Sequence, residues 1–344
     1  MSLKFTDLKQ DGYERVLLAE ERVTGFYSII AIHNTKRGPA LGGCRFFGYH
    51  GEDDQKKDVL KLSKAMTYKN SLADLDFGGG KATINSRVSK NKMYELYGKM
   101  LDHLDGSYIT AGDIGIVDQD LVELKKYTNY VCSTKGTDSG QSTAYGVFNA
   151  ILGYNEFKYD SSSIENKKIV LKGFGKVGSR LAHFCKELGA IVEVVDFESN
   201  RSLIEKAGFK FISKYQNTSF DSIDIFSPCA TGGDLNTEFI EFANSVKVDC
   251  VIGAANNQLE NNTIEKNLFD MGITFCPDYC VNAGGVIILA LRSSIKEDME
   301  YLDTEAKNKL IGIKNQLIKI LTLSKEKNQL TTVSSNELAE AGFQ

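Results

Sequence analysis

The segment Gly173-Phe174-Gly175-Lys176-Val177-Gly178 directly follows a β-type stretch, Lys168-Ile169-Val170-Leu171-Lys172. In a G-x-G-x-x-G turn between strand and helix, the first glycine permits the tight turn. The second lets a pyrophosphate reach the backbone, and the third lets the helix pack on the strand. Amides at the helix start then face the phosphates. Here Val177, Leu181, Phe184 and Leu188 recur at helical spacing until Gly189, a second strand covers Ile191 to Val195, and Asp196 closes it. A carboxylate in that place accepts hydrogen bonds from the adenosine ribose hydroxyls and repels a 2′-phosphate, so the unit predicts a bound dinucleotide, NAD over NADP. A glycine-rich turn alone is a weak signal; strand, turn, helix, strand and acid in order make a specific one. The alternative is the same turn with a surface aspartate and no cofactor.

A second group of residues has the types needed for proton chemistry. Lys69 lies on a predicted helix over 54–72 whose Val59, Leu62, Ala65, Met66 and Ala73 share one face, and it projects into the middle of that stripe. A lysine among core positions is seldom buried without a partner, and a substrate carboxylate is a natural one. An apolar stem with its ammonium in water is the other reading. Lys81 follows Gly78-Gly79-Gly80 and precedes the short strand Ala82-Thr83-Ile84. Consecutive glycines cost entropy and supply no packing, so they are expected where backbone and ligand come close, with Lys81 pointing into a cleft. Beside another ammonium and shielded from water, it would act as a base on water or an amine near neutral pH; a loop lysine beside a flexible turn is the plain alternative. Asp113, in Ile109-Thr110-Ala111-Gly112-Asp113-Ile114-Gly115, sits just past a predicted strand end, where open α/β sheets present their chemistry. As an isolated residue it would be a turn former. Two lysines and an acid suit oxidation at a carbon bearing both an amine and a carboxylate.

The elements around these residues read as two α/β layers. The first half alternates strand-like runs (27–32, 82–84, 107–110) with a Gly-rich turn at 38–43 and helices over 54–72 and 119–127, the latter N-capped by Asp118. A Gly-Ser-Thr-rich stretch, 133–142, separates it from a helical run at 143–157. Strands at 168–172, 191–195, 224–227, 250–253 and 273–276 then alternate with helices, the pattern of a parallel doubly wound sheet. The expected division is a substrate-binding and catalytic domain over 1–137 and a Rossmann-type NAD-binding domain over 138–321. The C-terminal helix over 322–344 would return to the first domain as a hinge.

Composition narrows the function classes. With 42% hydrophobic and 25% charged residues and a net charge of −4, the chain reads as an ordinary globular protein without a polyanion-binding surface, so no nucleic-acid partner is expected. The start, Met1 to Asp7, lacks the apolar core of a secretory signal, and no apolar run is long enough for a bilayer. Seven scattered cysteines fit thiols in a reducing compartment, and they form no ligand spacing with the four histidines. A cytoplasmic protein without a metal or membrane partner is the expectation.

Several ordered motifs give the chain a resemblance to the glutamate/leucine/phenylalanine/valine dehydrogenase family, most of all to its leucine-type members, between about Arg37 and Leu289. They are Gly38-Pro39-Ala40-Leu41-Gly42-Gly43-Cys44-Arg45, Met66-Thr67-Tyr68-Lys69-Asn70, Gly78-Gly79-Gly80-Lys81, Thr143-Ala144-Tyr145-Gly146-Val147, Ala255-Asn256-Asn257-Gln258 and Asn282-Ala283-Gly284-Gly285. The resemblance implies that Lys69 holds the substrate carboxylate, Lys81 activates the water or amine and Asp113 shuttles protons. Gly42 would join Lys69 in the substrate site, and Thr143, Ala230, Asn256 and Asn282 would line the cofactor site. The implied reaction transfers hydride from the α-carbon to NAD, after which water attacks the imine and ammonium leaves; closure between domains would exclude water. The implied side-chain pocket is Leu41, Met66, Ala111, Val286 and Leu289. Glutamate-specific relatives carry lysine where Leu41 stands, so the expected substrate is a small apolar, branched-chain amino acid, with an aromatic one as the alternative. A homo-oligomer is implied as well. Departures from the leucine-type pattern are Gly112 in place of glutamate, the short 133–142 stretch, and Leu291-Arg292 in place of an acidic pair. A dehydrogenase acting on a 2-hydroxy acid, or a non-catalytic NAD-binding sensor on the same fold, would share the dinucleotide unit but has no need of paired lysines.

Overall fold

The structure, a computed structural model, describes residues 3–132, 138–294 and 299–343. It divides into two compact units: Met1–Thr137 with Ile287–Asp303 and Ala339–Gln344, and Asp138–Val286 with Thr304–Leu338. Residues 133–137 of the expected linker lie outside the described residues.

The first unit is built on strands β1 (Lys4–Asp7), β2 (Arg15–Glu21), β3 (Phe26–Asn34), β4 (Ala40–Phe47), β5 (Gly78–Asn85) and β6 (Tyr108–Gly112), with helices α1 (Glu52–Leu72), α2 (Lys90–His103) and α3 (Asp118–Leu124). The sheet order is β1-β2-β3-β5-β4-β6, antiparallel through β3/β5 and parallel for β5/β4 and β4/β6. One face carries the larger core, where Ala82, Ile84, Ile30 and Cys44 meet Met93, Tyr97 and Met100 of α2. The other face takes α1, whose Val59 packs with Val16, Ile29 and Ala31.

Here the structure corrects three expectations. Residues 40–43 are not part of a turn but begin β4, because Gly42 and Gly43 are needed inside the sheet: a Cβ on Gly42 would stand 1.8 Å from the Gly80 carbonyl oxygen. The buried face of α1 is not the apolar stripe; it runs Gln55, Val59, Ser63, Thr67 and Asn70, while Leu62 and Met66 are half-buried and Ala65 is exposed. Helix α3 is preceded by Val117, not capped by Asp118, and the Asp120 side chain reaches back to accept the Val117 N–H at 2.8 Å. Strands β1 and β2 and helix α2 were absent from the sequence reading.

The second unit carries α4 (Ser139–Tyr159), then β7 (Lys168–Lys172), α5 (Gly178–Glu187), β8 (Ile191–Val195), α6 (Arg201–Lys206), β9 (Lys210–Ile212), β10 (Ile223–Pro228), α7 (Thr237–Val246), β11 (Val248–Val251), α8 (Asn262–Asp270) and β12 (Thr274–Phe275). In chain order short α9 (Asp278–Val281) follows, then α10 (Gly284–Ser294), most of which belongs to the first unit, α11 (Met299–Lys327), which enters the second unit at Thr304, and α12 (Thr331–Ala341), which leaves it after Leu338. All strand pairs in this sheet are parallel, in the order β9-β8-β7-β10-β11-β12. That order, reversing between β7 and β10, is the doubly wound arrangement that binds ligands at the carboxyl ends of its strands. No described helix is long and apolar enough to cross a membrane.

Candidate active site

The parallel trio β5-β4-β6 places side chains from three strands on the face that α1 covers. Register pairs Leu41 with Gly79 and Cys44 with Ala82 on one side of β4, and Gly43 with Ala111 on the other. Lys81 of β5 therefore faces Asp113, just beyond β6, across β4 at Gly43. A Cβ on Gly43 would come within 3.0 Å of the Asp113 Cβ, so the missing side chain leaves the path open. Lys81 Nζ lies 2.8 Å from Asp113 Oδ2, with the lysine side chain 9% exposed and the aspartate 23%. Arg45, two positions beyond Gly43 on the same strand, donates Nε to the same Oδ2 at 3.1 Å. Burial pushes the Asp113 carboxyl up, but the Lys81 and then the Arg45 charges outweigh it and hold the group below the usual carboxylate range.

The glycines leading to Lys81 have a packing cause. A Cβ on Gly79 would sit 2.0 Å from the Thr67 backbone nitrogen, one on Gly78 would sit 2.0 Å from the Asn34 carbonyl oxygen, and one on Gly80 would press on the Tyr108 ring at 2.6 Å. At this triplet it is α1, β3 and β6 that approach the strand, a packing cause that the sequence reading, which expected a ligand there, did not include. The close seat of α1 is sealed by Asn70, whose Nδ2 donates to the Gly78 carbonyl at 2.6 Å and the Leu41 carbonyl at 3.3 Å. Lys69, half-buried, is the neighbour of Asn70 near the end of that helix.

In the second unit the Gly173 turn matches each geometric demand of a dinucleotide loop. Gly173 takes φ +102°, and a Cβ there would meet Ala230 at 2.8 Å, where the loops after β7 and β10 touch. A Cβ on Gly178 would stand 1.9 Å from the Gly173 carbonyl oxygen, while one on Gly175 would meet nothing within 4 Å. Open space at the second glycine, beside the start of α5, is the room a pyrophosphate requires. Asp196 stands at the end of β8 and accepts the Phe174 N–H of the loop at 2.6 Å and Asn200 Nδ2 at 2.9 Å. Val177 leads into α5, and Lys176 reaches toward Asp138 at 3.7 Å.

Past the ends of β11 and β12, Asn282 Nδ2 donates to Asn256 Oδ1 at 2.8 Å and to the Ala254 carbonyl at 3.1 Å. Asn282 Oδ1 is buried without a hydrogen-bond partner among the described residues, a vacant acceptor suited to a ligand N–H. Gly284 and Gly285 pack on α4 at Ser142 and Thr143.

Of the expected side-chain pocket, Leu41 and Ala111 are buried on neighbouring strands, Met66 is half-buried on α1, and Val286 and Leu289 are half-buried on α10. Val286 belongs to the second unit and the other four to the first. Sequence reasoning assigned no role to Arg45, Asp58 or Tyr49. The signal for Arg45 was its spacing of two from Gly43, which puts it on the same strand face. Asp58 is hidden among the acids and lysines of an ordinary helix surface.

A model described as "Glu/Leu/Phe/Val dehydrogenase, dimerisation domain" matches residues 14–130, and one described as "Glutamate/Leucine/Phenylalanine/Valine dehydrogenase" matches residues 196–342. The phenylalanine dehydrogenase of Caldalkalibacillus thermarum is 35% identical over 96% of this chain and 91% of its own length. The leucine dehydrogenase of Geobacillus stearothermophilus is also 35% identical, over 98% and 92%. Among solved structures, the L-tryptophan dehydrogenase of Nostoc punctiforme superposes with a TM-score of 0.85 at 32% identity, covering 96% of each chain. Both halves of the sequence and both sheets thus lead to the same place: the chain belongs to the glutamate/leucine/phenylalanine/valine dehydrogenase family and is an amino acid dehydrogenase.

Proposed function

We propose that the protein catalyses the NAD-dependent oxidative deamination of a small apolar, branched-chain L-amino acid to its 2-keto acid and ammonium, and the reverse amination. The carrying observation is the Lys81–Asp113 contact of 2.8 Å at the end of a strand trio, with the wholly buried, uncharged Leu41 on the intervening strand. In this reading Lys69 binds the substrate carboxylate, and Asp113 and Lys81 pass protons between the amine, water and each other. Gly42 joins Lys69 in the substrate site, and Leu41, Met66, Ala111, Val286 and Leu289 are the residues assigned to the side chain. Burying a distal carboxylate among such residues without a cation carries a large desolvation cost, which disfavours glutamate.

A bound nicotinamide dinucleotide would supply the hydride acceptor. Gly173, Gly175, Lys176, Val177 and Gly178 would hold its pyrophosphate, Asp196 the adenosine ribose, and Thr143, Ala230, Asn256 and Asn282 the nicotinamide end. NAD is favoured because Asp196 is followed by Glu198, and the nearby Arg201 is already forked onto Glu198 through Nε at 2.5 Å and Nη2 at 3.1 Å. The match to a dimerisation domain supports a homo-oligomer, and seven free thiols suit a cytoplasmic location.

An aromatic substrate is the second reading, favoured by equal identity to a phenylalanine dehydrogenase and by the likeness to a tryptophan dehydrogenase. Values of kcat/KM for valine, leucine, phenylalanine, tryptophan and glutamate separate the two. The branched-chain reading expects valine and leucine within about 100-fold of each other, since a methylene is worth only ~1–3 kcal/mol in an apolar pocket, and both ahead of the aromatics. Phenylalanine or tryptophan in first place would establish the second reading, and glutamate in first place would overturn the pocket.

A further inference from the structure

Beyond Lys81 and Asp113 the charges continue. Arg45 spans two carboxylates: its Nε bonds Asp113 Oδ2 at 3.1 Å, and its Nη1 bonds both oxygens of Asp58, at 3.1 and 2.9 Å. Tyr49 then donates its hydroxyl to Asp58 Oδ2 at 2.7 Å. The Arg45 side chain is 18% exposed and that of Asp58 25%, so the pairing is poorly screened by water. A planar guanidinium can grip two acids along fixed directions, which a lysine cannot.

We propose that Arg45, anchored by Asp58 and Tyr49, is a positioning residue that fixes the Asp113 carboxylate on Lys81. It rests on the proposed role of Asp113 and extends it to residues that touch no reacting atom. Without Arg45, Asp113 Oδ2 keeps Lys81 as its cationic partner, and the second charged contact that fixes the carboxylate over Gly43 is lost. The charged and titratable groups on the face of this cluster are Lys81 on β5, Arg45 on β4, Asp58 on α1 and Tyr49 after β4, while Cys44 lies on the opposite face of β4, in the core under α2. Lys90 of α2, near Gly115, is spent on Asp120 at 2.6 Å. The Cys44 thiol is pushed up to about 12 by burial and stays neutral. Loss of the Arg45 charge therefore acts on Asp113 in one direction, toward easier protonation.

The test is the pH profile of kcat/KM for Arg45→Gln, Arg45→Lys, Asp58→Asn and Asp113→Asn in the full-length enzyme. Arg45→Gln is expected to lower kcat about 10-fold or more, to leave the amino acid KM within about threefold, and to move the acid limb up by about one to three pH units. Arg45→Lys should return the limb toward its wild-type place while kcat stays reduced. Asp58→Asn, which is isosteric and gives a result even where Arg45→Gln does not accumulate as folded protein, should lower kcat without an upward shift. A wild-type rate, or a uniform loss at every pH in all of these variants, overturns the positioning role. Asp113→Asn with near-wild-type turnover would instead sink the assignment of Asp113 itself.

Discussion

Lys81→Ala and Asp113→Asn remove opposite halves of one ion pair, and each should cost ~100- to 10,000-fold in kcat, the usual loss for a general acid or base. NADH binding, followed by its fluorescence, should survive both changes, because the glycine loop belongs to the other unit. A variant that keeps most of its activity takes that residue out of the chemistry. The same pair has a stability signature. Asp113 is held below its ordinary value, so its contribution to folding is fully present above about pH 4, the unfolded value. It is lost as pH falls through the lower folded value. The gap in urea midpoint between wild type and Asp113→Asn should accordingly be steady at neutral pH and shrink in acid. A gap that widens in acid would contradict the sign of the shift.

At the scale of elements, two glycines forecast opposite results from one substitution. Gly79→Ala drives a methyl into the Thr67 backbone at 2.0 Å, which α1 can relieve only by lifting off β5; about 3 kcal/mol or more of stability should be lost. Gly175→Ala meets open space, so the melting temperature should hold while NAD affinity falls. Equal destabilisation by the two would refute the division between a packing glycine and a ligand glycine. These elements also show what the sequence could reveal. The 168–196 unit was legible because its turn, helix and acid are contiguous and each has one local cause. Strands β1 and β2 and helix α2 were not, since their patterns are broken by charged residues: Arg15 and Glu20 of β2 pair across to Asp7 and Lys4 of β1, and Lys99 pairs along α2 with Glu95. The polar face of α1 was misread for a related reason. Thr67 and Asn70 are buried because glycines opposite them admit a close helix, and that partner lies on another strand.

For the whole molecule, the proposed reading assigns proton handling to the unit with the mixed sheet and dinucleotide binding to the unit with the parallel one. Arg45 and Asp58 escaped notice because their partnership exists only after β4 and α1 are stacked. Cofactor choice follows from the second unit: kcat/KM with NAD should exceed that with NADP at saturating amino acid, and a reversed preference would remove Asp196 from its assigned place. The central claim is that the amine of an apolar amino acid leaves as ammonium in step with hydride transfer. Leucine, NAD and enzyme, assayed for NADH and ammonium in the same sample, test it most directly. The account predicts equal amounts of the two from wild type and neither from Lys81→Ala. NADH formed without ammonium, or unimpaired formation of both by Lys81→Ala, would contradict it.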